Sequence, residues 1–593
     1  MGLLTLPDGS AREKKGDSGM NEWTLQTIAL HSLAKVFPEI APSEGDRLQL
    51  CSFLENEPFS FQIAYKFREN TMVSDTIYAR ISTGLPVSFF DVGFVPVFQA
   101  SAPNLNDKYR AGLFPDPLFE KKINPKIRQK RFPSTTIFVE DDGLHISAQS
   151  DGWRCVWITI NEQRKKLKAG MYPLTVEFFA QGTGDKVGEE TVGLKIIPAS
   201  LPKQKLKYTN WFHCDCLCDA HAVEPFDDRF WPVFADYVKK ASLNGMNLLL
   251  TPCFTPPLDT PVGKERKTVQ LVGVKLENGE YRFDFSLLEK YISVAKKNGI
   301  EYFEHSHFFS QWGASSAPKI MATVNGRYQQ LFGWKDAAWG KKYTAFLHAY
   351  IPALLAFLKQ RGWDKRFVFH ISDEPSTENI QSYRKAREAV GNLLDGYVVG
   401  DALSHYEIYK ERIVQTPIVC TDHIHDFYGR ANHLWAYYTG GQCFDGLSNR
   451  KLNCSGERNR MIGIQMYMHE IEGFLHWGYN FYYDMLSQGV ANPYINSCFY
   501  SGGNPGTSYL VYPAQNGCVQ SIRQKVFYEG INDMRALLLL EKLIGKEKTR
   551  EFVEGYFGNV TFFTHPGTAT NLLNFRRLLN EKIEDCLAEG GRE

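Results

Sequence analysis

The sequence predicts an N-terminal β-sandwich followed by a (β/α)8 barrel of the TIM type with C-terminal helices. Three observations carry this. The chain has 593 residues, too many for one hydrophobic core, so several domains are expected. Up to Pro202 it is a series of short β-rich runs broken by Gly, Pro, Asn and Asp, with no long helical period. Beyond that point eight apolar runs of strand length alternate with amphipathic stretches of helix length, the rhythm of a parallel barrel.

Residues 1–20, rich in Gly, Ser and Lys, read as a disordered leader, and Met20 as an alternative start. The sandwich is placed at 21–202, with strands over Ser60–Phe67, Asp75–Ser82, Ser88–Val97, Thr135–Glu140, Trp153–Asn161, Tyr172–Ala180 and Glu190–Ile197. The Lys-rich stretch after Leu201-Pro202 is the expected linker. The barrel is placed at 203–530, with strands over Tyr208–His213, Asn247–Thr251, Ile300–Glu304, Phe367–Ser372, Gly396–Gly400, Pro417–Thr421, Leu434–Tyr438 and Gly473–Trp477. Helices are expected at Asp228–Leu243, Ser286–Lys297, Trp339–Gln360, Thr377–Val390, Tyr406–Arg412 and Arg458–Glu470, with none assigned after the sixth strand. An open doubly wound sheet is the rival, but no Gly-rich phosphate loop follows the first strand. Residues 531–593 form a C-terminal helical segment, within two expected helices, Gln524–Lys542 and Thr568–Leu587.

Composition narrows the function. Lys+Arg (67) and Asp+Glu (66) nearly cancel, so there is no basic stripe for nucleic acid and no polybasic helix for a membrane surface. No apolar run is long enough to span a bilayer. Twelve cysteines without framework spacing, and no secretory signal, predict reduced thiols and a cytoplasmic location. Aromatic residues make up 14% of the chain; such rings stack on sugars but also fill large cores.

In a barrel the active site lies at the C-terminal ends of the strands. There the sequence places Trp211-Phe212-His213, Glu304-His305-Ser306-His307, Asp373-Glu374-Pro375, Asp401, Asp422-His423, Tyr437-Tyr438 and Trp477-Gly478-Tyr479-Asn480. Carboxylates, imidazoles and aromatics on one rim suit a sugar pocket. A glycosidase needs an acid for the leaving oxygen and a second group for the oxocarbenium-like centre. Adjacent residues on a strand point to opposite faces, so Asp373 and Glu374 can share a site only if the backbone turns sharply between them. An Asp-Glu-Pro that merely opens a helix is also common, because carboxylates suit the helix dipole. The position after an apolar barrel strand is what favours chemistry.

The stretch HISDEP (His370 to Pro375) resembles the catalytic strand of glycoside hydrolase family 123, the β-N-acetylgalactosaminidases. Supporting segments are GLFPDPL (Gly112 to Leu118), FTPPLDT (Phe254 to Thr260), HFFSQWG (His307 to Gly313), GFLHWGYNFY (Gly473 to Tyr482) and LVYP (Leu510 to Pro513). The resemblance covers nearly the whole chain. It implies a retaining, exo-acting β-N-acetylgalactosaminidase using substrate-assisted catalysis. Asp373 would orient the 2-acetamido group, and Glu374 would act as general acid and then base, with its pKa raised while Asp373 stays ionised. Tyr438, Trp477 and Tyr479 are the candidates to hold the acetamide. His213, His307, Gln311 and Trp312 are the other candidate sugar contacts, with His305 packing in the core.

No cofactor or metal is expected. The cysteines of Cys214-Asp215-Cys216-Leu217-Cys218 lack a second ligand pair for zinc, and Met466 and Met468 read as core. The expected partner is a small oligosaccharide or glycoside with a terminal β-N-acetylhexosamine. Two alternatives stay open: a glycosidase of the same fold for a sugar lacking the acetamide, and a non-catalytic carbohydrate-binding protein.

Overall fold

The computed structural model describes residues 24–68, 75–98, 111–122, 131–132, 135–136, 144–148, 152–180 and 184–590. The expected leader and most of the expected strand Thr135–Glu140 lie outside them.

The N-terminal region is strand-rich. A five-stranded sheet runs in the order Leu50–Leu54, Lys186–Ile197, Gly170–Ala180, Asp75–Ser82, Leu144–Ala148. A seven-stranded sheet runs Leu25–His31, Phe59–Phe67, Arg154–Ile160, Val87–Val97, Gly112–Lys121, and then Gly517–Ser521 and Tyr512–Ala514. Its last two strands come from far along the chain, beyond the barrel strands. Along Phe59–Phe67 apolar residues alternate with small or polar ones. Phe61, Ile63, Tyr65 and Phe67 pack into the core between the sheets, whereas Ala64, on the other face, joins the core shared with the barrel.

The barrel strands are Lys207–Asn210, Leu248–Thr251, Tyr302–His305, Phe367–Phe369, Val398–Leu403, Thr416–Cys420, Trp435–Tyr437 and Gly473–His476. They pair in parallel around the ring, with the eighth beside the first. The ring is nearly closed: between the first two strands no ladder forms, and Asn247 bridges the gap. Its Oδ1 accepts from Tyr208 N at 2.8 Å, and its own N–H donates to Tyr208 O at 3.1 Å.

The helices follow the expected rhythm unevenly. Ser286–Lys297 buries Leu288, Tyr291, Ile292 and Ala295, one apolar stripe at helical spacing. Asp284 Oδ1 accepts from Ser286 N at its start (2.9 Å). Lys341–Gln360, Ile380–Val390, Tyr406–Lys410 and Gly456–Met468 follow later strands, while the sixth connection holds only the short 3-10 turn Ile424–Phe427. The barrel therefore departs from a regular strand–helix alternation. The loops after the second and third strands add a four-stranded sheet. The chain ends in three helices, Ile522–Ile544, Lys546–Phe557 and Ala569–Gly590; the middle one was not foreseen. No helix is long and apolar enough to cross a membrane among the described residues.

Gly456–Met468 and Ile522–Ile544 cross at Gly463 and Gly530. A Cβ on Gly463 would meet the Gly530 carbonyl oxygen at 1.7 Å, backbone that cannot step aside. Gly463→Ala should therefore cost about 1–3 kcal/mol or more, read as a lower denaturation midpoint in urea; an unchanged midpoint would refute this contact. Buried ion pairs join the C-terminal helices to the N-terminal sheets: Arg523 to Asp116 (3.0 Å), Lys525 to Glu162 (2.7 Å) and Arg576 to Glu57 (2.6 Å).

Candidate active site

At the C-terminal ends of the strands lies a cavity of about 260 Å³ whose lining includes Asp373, Glu374, His213, Gln311, Trp312 and Trp477. His370 to Asp373 is tied to the loop after the third strand. Phe308 and Phe309 N–H groups donate to the His370 and Ile371 carbonyls, and Trp312 N–H donates to the Asp373 carbonyl (3.2 Å). At Glu374 the backbone then turns into the left-handed region, φ +46°. A residue with a Cβ holds that conformation at a cost of about 1–3 kcal/mol, and the turn is what lets two neighbouring carboxylates face one cavity.

Each carboxylate has one oxygen anchored. Gln311 Nε2 donates to Asp373 Oδ2 at 2.8 Å, and the Gln311 amide is oriented because its Oε1 accepts from Asp259 N–H at 2.6 Å. Tyr437 O–H donates to Glu374 Oε1 at 2.7 Å. Asp373 is buried. Burial first, then the charge of Glu374, pushes its pKa above the usual carboxylate range, although the Gln311 donor opposes this. This corrects the expectation for Asp373, which was to stay ionised.

Beneath the pair sits a buried ionic layer. Glu304 accepts from Thr209 Oγ1 (2.7 Å) and, through Oε1, faces His370 Nε2 (3.2 Å). Asp401 accepts from Ile371 N–H (3.0 Å) and from the Tyr383 hydroxyl, and lies 3.7 Å from His370 Nδ1. Burial disfavours the imidazolium, but Asp401 and Glu304 outweigh it and raise the His370 pKa to about 10. Donor atoms of His307, His370 and Asp401 lie within 4.8 Å of one another, a set that could hold a metal. A proton on His370 already meets the charge of the flanking carboxylates.

The other expected contacts divide. Gln311, Trp312 and Trp477 line the cavity; Trp477 packs on Tyr500 (4.6 Å) and Phe481 (5.3 Å). His213 lines it too, but both of its nitrogens are engaged. Arg266, paired to Asp215 at 2.7 and 2.8 Å, donates to Nδ1 (3.3 Å), so Nε2–H donates to the Trp477 carbonyl (2.9 Å). Burial and then Arg266 lower its pKa to about 4. It is a neutral clasp on Trp477, not the hydroxyl-binding group expected.

Three expectations are overturned by placement. His307 does not line the cavity; it is buried beneath Trp211 and stacked on His370 (4.8 Å). Tyr438 is fully buried on the outer side of the barrel wall against Phe474 and His476. Tyr479 is buried there too, its hydroxyl donating to the Tyr237 carbonyl (3.2 Å). For Tyr438 the reason is strand parity. Trp435 and Tyr437 belong to the cluster filling the barrel interior, with Leu475 and Trp477; Ala436 and Tyr438 belong to the surrounding core. Counting inward positions from Trp435 would have selected Tyr437. Asp259 and Tyr500 were missed altogether. The Tyr500 hydroxyl donates to Asp259 Oδ1 (2.9 Å), Ser487 N–H donates to Oδ2 (3.1 Å), and burial raises the Asp259 pKa.

Paired acids and an aromatic wall share the rim of this barrel, an arrangement suited to an enzyme acting on carbohydrate. The model of the catalytic domain of glycoside hydrolase 123 matches residues 211–540, and the chain belongs to that family. It is thus a glycoside hydrolase. A family 123 glycoside hydrolase from Clostridium perfringens, solved in work on glycolipid glycan hydrolysis, superposes with a TM-score of 0.66 at 12% identity, covering 96% of this chain and 99% of its own. The two share a fold. A cycloisomaltooligosaccharide glucanotransferase from Paenibacillus sp. covers 70% of this chain and 53% of its own at 8% identity, with a TM-score of 0.23. A β-glucuronidase from Bacteroides uniformis covers 78% and 47% at 9% identity, with a TM-score of 0.27. Both fall below the level of a common overall fold. No curated protein matches the sequence.

Proposed function

We propose that the chain is a retaining exo-β-N-acetylgalactosaminidase working by substrate-assisted catalysis, with Asp373 orienting the 2-acetamido group and Glu374 as general acid and base. The observation that carries this reading is the left-handed turn at Glu374, which sets both carboxylates on one cavity, each with one oxygen anchored and one unbonded. Side chains of adjacent residues are poorly suited to flank a glycosidic bond from opposite faces, but they suit a mechanism whose nucleophile is the substrate's own acetamide oxygen.

In this mechanism the acetamide N–H donates to Asp373, which favours its carboxylate form and offsets the burial that raises its pKa. The acetamide oxygen attacks the anomeric carbon, closing an oxazolinium ring, while Glu374 passes its proton to the leaving oxygen. Glu374 then takes a proton from water as water opens the ring, and two inversions give retention. Trp477, held by His213, offers the face on which the sugar packs. A cavity of about 260 Å³ holds little more than one N-acetylated sugar ring, in keeping with removal of a terminal residue.

A second reading has one observation in its favour. Asp259 gives the cavity a third carboxylate, as a conventional double displacement with an enzyme nucleophile would need. Its two oxygens already accept from Tyr500 and Ser487, which leaves it poorly placed to attack. The test is hydrolysis of aryl β-GalNAc, aryl β-GlcNAc and matched glycosides lacking the acetamide, with the product anomer followed by NMR. Substrate assistance requires a β product, no turnover without the acetamide, and tight inhibition by a thiazoline analogue of the oxazolinium ring. Turnover of the glycoside lacking the acetamide would move the assignment to Asp259.

A further inference from the structure

Thr439, Gly440 and Gly441 line the cavity, and the chain that follows folds back beneath them. Asn449 Nδ2 donates to the carbonyls of Thr439 (2.8 Å) and Gln442 (2.6 Å). Lys451, only 1% exposed, ends under the same rim. Its Nζ donates to Oδ1 of Asn504 (3.1 Å), itself a lining residue, and lies 2.8 Å from Cys443 Sγ. That separation is usual when the acceptor is oxygen, roughly 2.7–3.2 Å, but sulfur is a larger atom, so for an N–H···S contact it is compressed. It is the spacing that a single bridging oxygen atom, bonded to both, leaves between nitrogen and sulfur.

Two further features point the same way. Nine of the twelve cysteines are buried, whereas Cys443 is partly exposed, so a small oxidant can reach it. Among the described residues Lys451 has no carboxylate within ion-pair distance, and its partners are Cys443 and Asn504.

We propose that Cys443 and Lys451 form a reversible covalent cross-link, Sγ–O–Nζ, which an oxidant of the peroxide class installs and which staples the cavity rim to the segment beneath it. One hydrogen peroxide takes two electrons from sulfur: the thiol S–H becomes the sulfenic acid S–O–H, and one water leaves. A second peroxide takes two more electrons as the N–O bond forms between the sulfenic oxygen and Nζ. The hydroxyl proton and one amine proton leave with the two peroxide oxygens as two waters. A thiol, an amine and two peroxides thus give the S–O–N link and three waters. Four electrons from dithiol reductant reverse it, returning thiol and amine and releasing the bridging oxygen as water.

The test is intact mass of the full chain after a small excess of hydrogen peroxide. The cross-link adds about 14 Da, one oxygen gained and two hydrogens lost. This gain should vanish with dithiol reductant and be absent from Cys443→Ser and from Lys451→Arg. Digestion should join residues 431–450 to the peptide that begins at Lys451, and the oxidised wild type should unfold at a higher temperature than the reduced. Gains of about 16 or 32 Da on Cys443 alone would show ordinary thiol oxidation and overturn the proposal. A reductant-sensitive loss of about 2 Da, from a disulfide to Cys454, or no change in mass, would overturn it equally. Cys443→Ser changes one atom, so the mass comparison stands even if the lysine variant fails to fold.

Discussion

Glu374→Gln is expected to lower kcat/KM on aryl β-N-acetylgalactosaminides with poor leaving groups by roughly 10²–10⁴-fold, the range a general acid contributes. The amide cannot deliver a proton, yet it retains an acceptor for Tyr437, so the left-handed turn and the cavity should persist and substrate should still bind. Leaving groups of low pKa need little protonation and should lose much less. A uniform loss over all leaving groups would point to a disturbed site, and near-wild-type turnover would remove Glu374 from the mechanism. The same variant carries a second signature. Repulsion from Glu374 is one of the causes that raise the Asp373 pKa, so removing that charge should move Asp373 ionisation to lower pH. Thiazoline binding followed against pH reads that shift directly, as the displacement of an apparent value that in wild type belongs to the pair.

Asp373→Asn is expected to cost roughly 10²–10³-fold in kcat, comparable to removing one preorganised electrostatic contact from a transition state. It should also make the protein more stable at alkaline pH. The sign follows from the raised pKa. A carboxyl whose folded pKa lies above its unfolded value, about 3.9, favours the folded state fully below that unfolded value, and the contribution is lost as pH rises through the folded one. At alkaline pH the wild type holds a buried, repelled carboxylate, whereas Asn carries no charge. The difference in Tm, variant minus wild type, should therefore widen as pH rises above about 4 and level off once pH has passed the folded pKa. A difference independent of pH would mean that Asp373 is already ionised in the free enzyme. Function and stability thus pull apart at this residue, because the group the reaction needs charged lies where the fold prefers it neutral.

Much of the architecture was legible from residue patterning. Ser286–Lys297 was placed to the residue because Leu288, Tyr291, Ile292 and Ala295 repeat at helical spacing inside clear boundaries. The missing helix after the sixth strand was visible as a connection too short to hold one, now the turn Ile424–Phe427. The helix Lys546–Phe557 was not found; only Thr549 and Val553 are buried on it, too thin an apolar stripe to stand out. Nor could the sequence show that Tyr512–Ala514 and Gly517–Ser521 return to the N-terminal sheet, since strand partners so distant leave no local trace.

By itself, the sequence determined that a pair of acids follows an apolar strand in a chain alternating strands and helices, and that aromatics gather at the ends of those strands. Only the tertiary structure decided which of them face the cavity. In Tyr437-Tyr438 the residues are chemically identical, and ring closure alone turns the first onto Glu374 and the second into the outer core. At His213 it is Arg266, more than fifty positions away, that engages Nδ1 and leaves the imidazole to hold Trp477. At Asp373 it is burial and the left-handed step to Glu374 that raise the pKa. Orientation, tautomer and charge all depend on which groups folding brings within a few ångströms of each other, and such distances are set by the packing of the whole barrel.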